Sequence, residues 1–186
     1  MKIENIIRKV LREQQEEEKI LKIPGIRYFN NDWSILQKFL ESQGYPRYSI
    51  GGDLNLRRTD IETLGNLVRV EGDLDLASCK NLKSLGDLEY VGGWLNLYLR
   101  DVKSLRNLVR VEGDLDLQFC KNLVSLGDLE YVGGNLYLQL CQNLESLGNL
   151  KYVGGNLYLR DTPLSKKYAE YDIRKMVKVV GVIDMG

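Results

Sequence analysis

Val70–Leu76, with the sequence VEGDLDL, returns unchanged as Val111–Leu117. It belongs to a longer duplication, in which Asn66–Leu76 is identical to Asn107–Leu117. Each duplicated unit contains the pattern V-x-G-x-L-x-L twice, so the basic repeat is about 20 residues long. Repeats of this length are typical of solenoids, in which each coil buries its apolar face against its neighbours. The sequence therefore predicts a stack of short coils.

The glycine of this pattern sets the phase of the repeat. It is found at Gly52, Gly72, Gly93, Gly113, Gly134 and Gly155. After each glycine, leucines alternate with polar or aromatic residues, which puts the leucines on one face of an extended segment. We therefore expect one short strand per coil, pairing in parallel with the strands of neighbouring coils. The glycine is expected to permit a tight backbone turn at the strand entry.

Leucine cores of the form LxLxxC or LxLxxT recur between about residues 50 and 164 and resemble leucine-rich repeats. The V-x-GG-x-L-x-L form and the ending TPLSKKY…IRKMV resemble repeat proteins common in bacteriophage and bacterial genomes. The resemblance implies an α/β solenoid with a right-handed coil, a short-stranded parallel sheet on its concave face and helical N- and C-terminal caps. Arg100 departs from the family pattern because it stands where the other coils have Cys or Thr. A local register shift around Trp94–Val102 is one consequence that we expect.

The chain divides into three parts: residues 1–48, a helical N-terminal cap; 49–164, six leucine-rich coils; and 165–186, a C-terminal cap. In the first part, Ile3, Ile6, Ile7, Val10 and Leu11 have helical spacing. A second helix is predicted over Trp33–Ser42, with Asp32 as its N-cap and Gly44 as its stop. These helices are expected to cover the open end of the stack, and a partner-binding arm is the alternative.

The C-terminal part is expected to begin with a helix from Ser165 to about Val177. After it, Val179–Met185 fits V-x-G-x-L-x-L, with Ile183 and Met185 in the leucine places. We interpret this segment as a seventh strand, with a disordered tail as the alternative.

Composition excludes several classes of function. The 26 basic and 26 acidic residues balance, so there is no net basic charge to favour nucleic-acid binding. The chain has no histidine, which removes histidine-based catalysis and histidine-ligated metal sites. The N-terminal residues lack the apolar core of a signal peptide, and no apolar run reaches the roughly 20 residues of a membrane span. We expect a cytoplasmic protein, in a bacterial or host cell, without cofactor.

The cysteines at Cys79, Cys120 and Cys141 occupy one position of the repeat, three residues after the second leucine. This position is expected to point inward, with its polar atom bonded to turn backbone. Cys120 and Cys141 lie one coil apart, so a disulfide is an alternative on distance alone. Buried structural thiols are the preferred interpretation, and a zinc site lacks closely spaced ligand pairs.

Residues between the leucines are predicted to form rows on the exposed sheet face, acidic toward the N-terminus and rich in Tyr and Asn toward the C-terminus. The candidate partner-binding residues are Asp73, Asp75, Trp94, Asn96, Tyr98, Asp114, Asp116, Tyr137 and Tyr158. Exposed aromatic residues on a rigid sheet are typical of binding hot spots. The alternative is that these residue types simply suit a solvated sheet. A separate row of Arg and Tyr, from Arg69 to Tyr152, predicts cation–π pairs on the return side of the coil.

Three functions are compatible with these patterns. The first is a non-catalytic module that binds a protein partner, one of basic character being an option, through the concave sheet face. The second is a phage-encoded inhibitor of a host nuclease-type defence system, acting through its acidic and aromatic surface. The third, which the sequence favours least, is an enzyme or a divalent-metal protein that uses the strand aspartates. We expect no catalytic residues, no metal ligands and no direct nucleic-acid binding.

Overall fold

The computed structural model describes residues 19–98 and 102–186, and in these residues the chain forms a parallel β-solenoid. Successive coils add strands to two parallel sheets. Sheet A contains β1 (Leu21–Ile23), β2 (Tyr48–Ile50), β4 (Leu67–Val70), β6 (Tyr90–Val91), β8 (Arg110–Val111), β10 (Tyr131–Val132), β12 (Tyr152–Val153) and β14 (Lys178–Val179). Sheet B contains β3 (Leu54–Asn55), β5 (Leu74–Asp75), β7 (Leu95–Asn96), β9 (Leu115–Asp116), β11 (Leu136–Tyr137), β13 (Leu157–Tyr158) and β15 (Ile183–Asp184).

Equivalent residues of successive coils lie side by side. In sheet B, Leu95 of β7 pairs with Leu74 on one side and Leu115 on the other. The register around Trp94 and Asn96 is therefore continuous with that of the neighbouring coils. The predicted register shift is not present in β7, and Arg100 lies outside the described residues. This regular register is what aligns the exposed side chains into rows.

The coil has two strands where the sequence predicted one. Sheet B is the predicted leucine sheet, whereas sheet A is formed by the residue pairs that precede the glycines, such as Tyr131–Val132. These segments are too short to show an alternation of apolar and polar residues, so their pairing depends on the neighbouring coils. The predicted Arg and Tyr row consequently lies on sheet A.

The leucines and valines of the coils fill one continuous core between the sheets. Leu74, Leu76, Leu85, Leu88 and Val91 are fully buried, as predicted for the strand and for the L-x-x-L-x-x-V return arm. Each buried side chain of this size contributes about 1.5–3 kcal/mol relative to an exposed one. Stacking of the coils therefore provides most of the stability, since a single coil would leave these side chains in water.

The repeated glycines are required by the close approach of the coils rather than by a left-handed backbone conformation. A Cβ atom placed on Gly133 would lie 2.0 Å from the Glu112 carbonyl oxygen, and one on Gly154 would lie 2.1 Å from the Gly133 carbonyl oxygen. Of the six aligned glycines, Gly52 alone has a positive φ, +83°. The predicted bend in the backbone is present at all six of these glycines, and it requires a left-handed conformation at Gly52 alone among them.

The N-terminal part contains both a helix and a strand. Helix α1 (Trp33–Ser42) begins at Asp32 as predicted, and the Asp32 side chain accepts a hydrogen bond from the Ser34 N–H at 2.7 Å. Leu36 and Leu40 of α1 are buried in the core. The strand β1, at the edge of sheet A, was not expected in a helical cap. The first predicted helix lies outside the described residues.

The predicted C-terminal helix is divided in two, α2 (Pro163–Lys167) and α3 (Glu170–Met176). Thr162 is the N-cap of α2, since its hydroxyl accepts from the Ser165 N–H at 3.1 Å. The seventh strand predicted in Val179–Met185 is present as β15, which pairs with β13, while β14 pairs with β12. None of the helices in the described ranges combines the length and the apolar character that a membrane span requires.

The three cysteines are buried free thiols that bond backbone carbonyl groups of the preceding coil. The Sγ atom of Cys79 lies 2.9 Å from the Leu56 carbonyl oxygen, and that of Cys141 lies 3.0 Å from the Leu117 carbonyl oxygen. Burial raises the pKa of the Cys141 thiol to about 12. The inward orientation and the backbone bonding predicted for this position are confirmed.

Because reaction with a disulfide reagent requires an accessible thiolate, none of the three thiols is expected to react in the folded protein at pH 8. All three should react at once in denaturing urea. The measurement is the release of nitrothiobenzoate from Ellman's reagent, with glutathione as the reference for a free thiol. Rapid modification of any cysteine in the folded state would contradict the structural role.

Candidate binding face on sheet B

The exposed face of sheet B carries two rows of side chains, named here by their place after the glycine. Row 1 follows the glycine directly and contains Asp53, Asp73, Trp94, Asp114, Asn135 and Asn156. Row 2 lies two residues later and contains Asn55, Asp75, Asn96, Asp116, Tyr137 and Tyr158. Sheet B places all nine predicted partner-binding residues on or beside these rows.

Row 1 is a hydrogen-bonding ladder between coils. The Oδ1 atom of Asp73 accepts from the Trp94 N–H at 2.8 Å, and that of Asp114 accepts from the Asn135 N–H at 2.6 Å. Asn135 continues the ladder by accepting from the Asn156 N–H at 2.8 Å. Each Asp or Asn side chain of row 1 therefore satisfies a backbone donor of the following coil, a role that the sequence-based interpretation did not include.

The Asp and Asn side chains of row 2 stabilise the turns that leave their strands. The Asp75 side chain accepts from the Ala77 N–H at 2.9 Å, and Asp116 accepts from the Gln118 N–H at 3.0 Å. Asn96 makes the equivalent bond to the Tyr98 N–H at 3.0 Å. Bonds from an Asp or Asn side chain to the N–H two residues on are a common way to fix a turn.

The aspartates carry a negative charge that these backbone bonds do not require. Asn135 in row 1 and Asn96 in row 2 make the same bonds with a neutral amide oxygen. This interchange of Asp and Asn at one repeat position is the signal in the sequence that could have revealed the acceptor role. It also separates the hydrogen bond, which the fold needs, from the charge, which it does not.

Among the described residues, the basic partners on this face lie toward its two ends. Arg57 lies 3.8 Å from the Asp75 carboxylate, and Arg160 lies 3.8 Å from that of Asp184. Among the described residues, no basic side chain lies within ion-pair distance of Asp73, Asp114 or Asp116. In the described residues the middle of the face is therefore acidic, with Asp73 one coil before Trp94 and with Asp114 and Asp116 one coil after it.

A depression of about 410 Å³ lies in the middle of this acidic region, beside the indole of Trp94. Six of the nine predicted residues line it: Asp73, Trp94, Asn96, Asp114, Asp116 and Tyr137. Trp94 is 37 % exposed, so part of its indole is accessible to a ligand. Burial raises the pKa of the Asp116 carboxyl above its ordinary value. The remaining three lie outside the depression: Tyr98 and Tyr158, and Asp75, which is buried and not exposed as predicted.

Aromatic side chains extend from the depression along row 2. The rings of Tyr137 and Tyr158 stack with centroids 4.9 Å apart and planes 2° apart. Burial, followed by the nearby Asp114 carboxylate, raises the pKa of Tyr137. Tyr98 packs edge-on against Phe119, with ring centroids 5.4 Å apart. The aromatic part of the face is thus rigid and partly exposed.

The exposed row of sheet A differs because its charges are paired within the row. Arg69 lies over the Tyr90 ring at 4.0 Å, and Arg110 lies over the Tyr131 ring at 3.5 Å. Both arginines also form ion pairs with glutamates two residues on, Glu71 and Glu112. The predicted cation–π pairs are confirmed. In the part of the chain that the structure describes, the charges of sheet A are paired within the sheet, whereas the carboxylates of Asp73, Asp114 and Asp116 on sheet B have no basic partner.

Within the described ranges, no group of three or more Cys, Asp or Glu side chains has a geometry that could hold a metal ion. The fold and the face together define the class of the molecule: a leucine-rich parallel β-solenoid with a repeat of about 21 residues. Comparison with protein-family models, with curated proteins and with solved structures gives no match for this chain.

Proposed function

We propose that this chain is a non-catalytic protein-binding module that uses the exposed face of sheet B. The observation that carries the proposal is the charge of Asp73, Asp114 and Asp116, which no basic side chain of residues 19–98 and 102–186 pairs and which the backbone bonds of the fold do not require. Trp94 and the stacked tyrosines next to these carboxylates supply rigid aromatic area, of the kind found at binding hot spots. A surface that is both charged and aromatic suits a polar protein interface.

The finer features of the architecture belong to the same proposal. The LxLxxC cores favour a leucine-rich-repeat solenoid with a right-handed coil, bounded by helical caps at residues 1–48 and 165–186. The N-terminal cap is supported by the burial of Leu36 and Leu40 of α1. The C-terminal cap is supported by Arg174 of α3, which donates hydrogen bonds to the Val179 and Gly181 carbonyl oxygens at 3.0 and 3.1 Å. Such bonds occupy backbone acceptors at the last coil.

The variant Trp94→Ala/Asp116→Asn/Tyr137→Ala is expected to lose the partner. Hot-spot side chains contribute about 2 kcal/mol or more each, so the affinity should fall by at least about thirtyfold. The measurement is affinity capture from a lysate of the native host, followed by titration of the purified partner. Asn at position 116 preserves the bond to the Gln118 N–H, because Asn96 makes that bond in its own coil.

The matched control is Tyr90→Ala/Glu112→Gln/Tyr152→Ala, which makes the same types of change on sheet A. It should capture the partner as the unaltered protein does. Circular dichroism melting of both variants verifies that the coils remain stacked. If the sheet B variant binds with unchanged affinity, the proposed binding face is wrong.

A narrower candidate is an inhibitor of a nuclease-type host defence system, with the acidic face occupying a basic groove. The unpaired carboxylates favour it, since they would resemble the charge of a nucleic-acid backbone. Captured partner would then be released by moderate salt, because exposed charge pairs are screened over about 8–10 Å at physiological ionic strength. Retention of the partner in 1 M salt would argue against this candidate while leaving the binding module intact.

A further inference from the structure

Trp94 interrupts the row 1 ladder in the centre of the acidic face. In the neighbouring coils, Asp73 and Asp114 each accept a hydrogen bond from the N–H of the next row 1 residue. An indole has no acceptor, so Trp94 cannot do this for the Asp114 N–H. Among the described residues, no acceptor is found for that N–H. A local rule of the fold that is broken at one coil is an indication of function.

The depression next to Trp94 combines an aromatic surface with fixed carboxylates. Asp73, Asp114 and Asp116 are each held by a bond from backbone N–H to Oδ1. These bonds fix the positions of the carboxylates before any ligand arrives, which lowers the cost of binding. The volume of about 410 Å³ is sufficient for one long side chain but not for a folded element. Its chemistry is therefore that of a receptor for a single cationic group.

We infer that this depression binds one arginine side chain of the protein partner, with the guanidinium against the Trp94 ring and within reach of the Asp114 and Asp116 carboxylates. The inference rests on the proposed function, because the arginine belongs to the partner. A guanidinium is planar, stacks on aromatic rings and donates to carboxylates in a fork geometry, and it is more weakly hydrated than an ammonium group. Cations over a tryptophan face are the most favourable of the cation–π pairs.

The ionisation of Asp116 supports the same occupant. Burial raises the pKa of the Asp116 carboxyl in the folded state above its ordinary value of 3.8. Ionisation of Asp116 therefore lowers the free energy of unfolding as the pH rises above 3.8. The described titratable side chains that line the depression with Asp116 are Asp73, Asp114 and Tyr137, none of which is cationic. A bound guanidinium would compensate this unfavourable charge, whereas a neutral ligand would not.

The test uses the Trp33→Phe protein, in which Trp94 is the remaining tryptophan of the two in the chain. N-acetylarginine amide is expected to change the Trp94 fluorescence saturably, with a dissociation constant on the order of 1 mM. N-acetylcitrulline amide has nearly the same shape without the charge and should bind at least about tenfold more weakly. Equal binding of the citrulline probe would overturn the inference, and so would tighter binding of N-acetyllysine amide.

The double variant Asp114→Asn/Asp116→Asn, in the same background, should weaken the arginine probe by at least about tenfold. Asn retains the backbone bonds, as Asn135 and Asn96 demonstrate, so the fold is preserved. Asp53→Asn is the matched control on the same row outside the depression, and it should leave probe binding unchanged. An unchanged affinity in the double variant would overturn the site.

The outcomes separate the inference from the proposed function. If the arginine probe gives no saturable change while the sheet B variant still loses the partner, the arginine site is wrong and the binding module stands. If the probe binds but the sheet B variant captures the partner normally, the proposed function fails instead.

Discussion

Gly133→Ala is expected to prevent stable folding of the coil stack. The added Cβ would lie 2.0 Å from the Glu112 carbonyl oxygen and 2.8 Å from its carbon, and neither backbone atom can rotate away. The coils would have to separate at this point, which breaks the register of both sheets. We expect a loss of about 3 kcal/mol or more in the free energy of unfolding, measured by urea denaturation followed by circular dichroism.

Gly52→Ala is the control for a conformational effect. No heavy atom lies within 4 Å of its added Cβ, but its φ of +83° is unfavourable for alanine. The expected cost is about 1–2 kcal/mol, the usual penalty for a left-handed residue other than glycine. If Gly133→Ala costs no more than Gly52→Ala, close packing of the coils is not the reason for the repeated glycines.

Leu117→Ala is expected to cost about 3–5 kcal/mol, because the side chain is fully buried and coils pack against it on both sides. In a stack with nearest-neighbour coupling, a cavity in a central coil also weakens the connection between the two halves. We therefore expect a lower slope of the urea transition as well as a lower midpoint, since the halves would unfold less cooperatively.

Ile183→Ala is the matched substitution in the last coil. Ile183 is 4 % exposed and pairs with Leu157 of β13, the strand on the inner side of β15. Its loss should fray the end of the stack, lowering the midpoint less than Leu117→Ala and leaving the slope unchanged. Equal changes in midpoint and slope for the two variants would indicate that all coils unfold together, without the nearest-neighbour coupling expected of a stack.

The alternation of leucines was sufficient to predict sheet B and its core. Alternation of apolar and polar residues indicates which face of a strand is buried, and this pattern can be read within a single strand. The same reasoning did not predict sheet A, whose strands contribute only two residues in most coils. It also missed the left-handed residues at Ser78, Phe119 and Leu140, where the repeat has no glycine to mark them.

The sequence predicted where the candidate residues lie in the repeat, but it did not predict their hydrogen bonds. The sequence placed Asp73 and Asp116 on the exposed face, and the depression next to Trp94 brings them together. Their bonds to backbone N–H groups could not be predicted in the same way, because the donor of the Asp73 bond belongs to another coil. The backbone bonds explain why an Asp or Asn is present at these positions. They do not explain the negative charge, which is therefore the feature to test for function.

Period, core residues and exposed rows follow from VEGDLDL and its copies, because local spacing fixes which side chains share a face. The distance between coils cannot be predicted from local spacing. It depends on atoms about 20 residues apart in the chain, and it decides that Gly133 must lack a Cβ, that Asp114 bonds to the next coil and that Trp94 does not. The sequence determines the spacing of residues within a coil, whereas contacts between coils form only in the stacked tertiary structure.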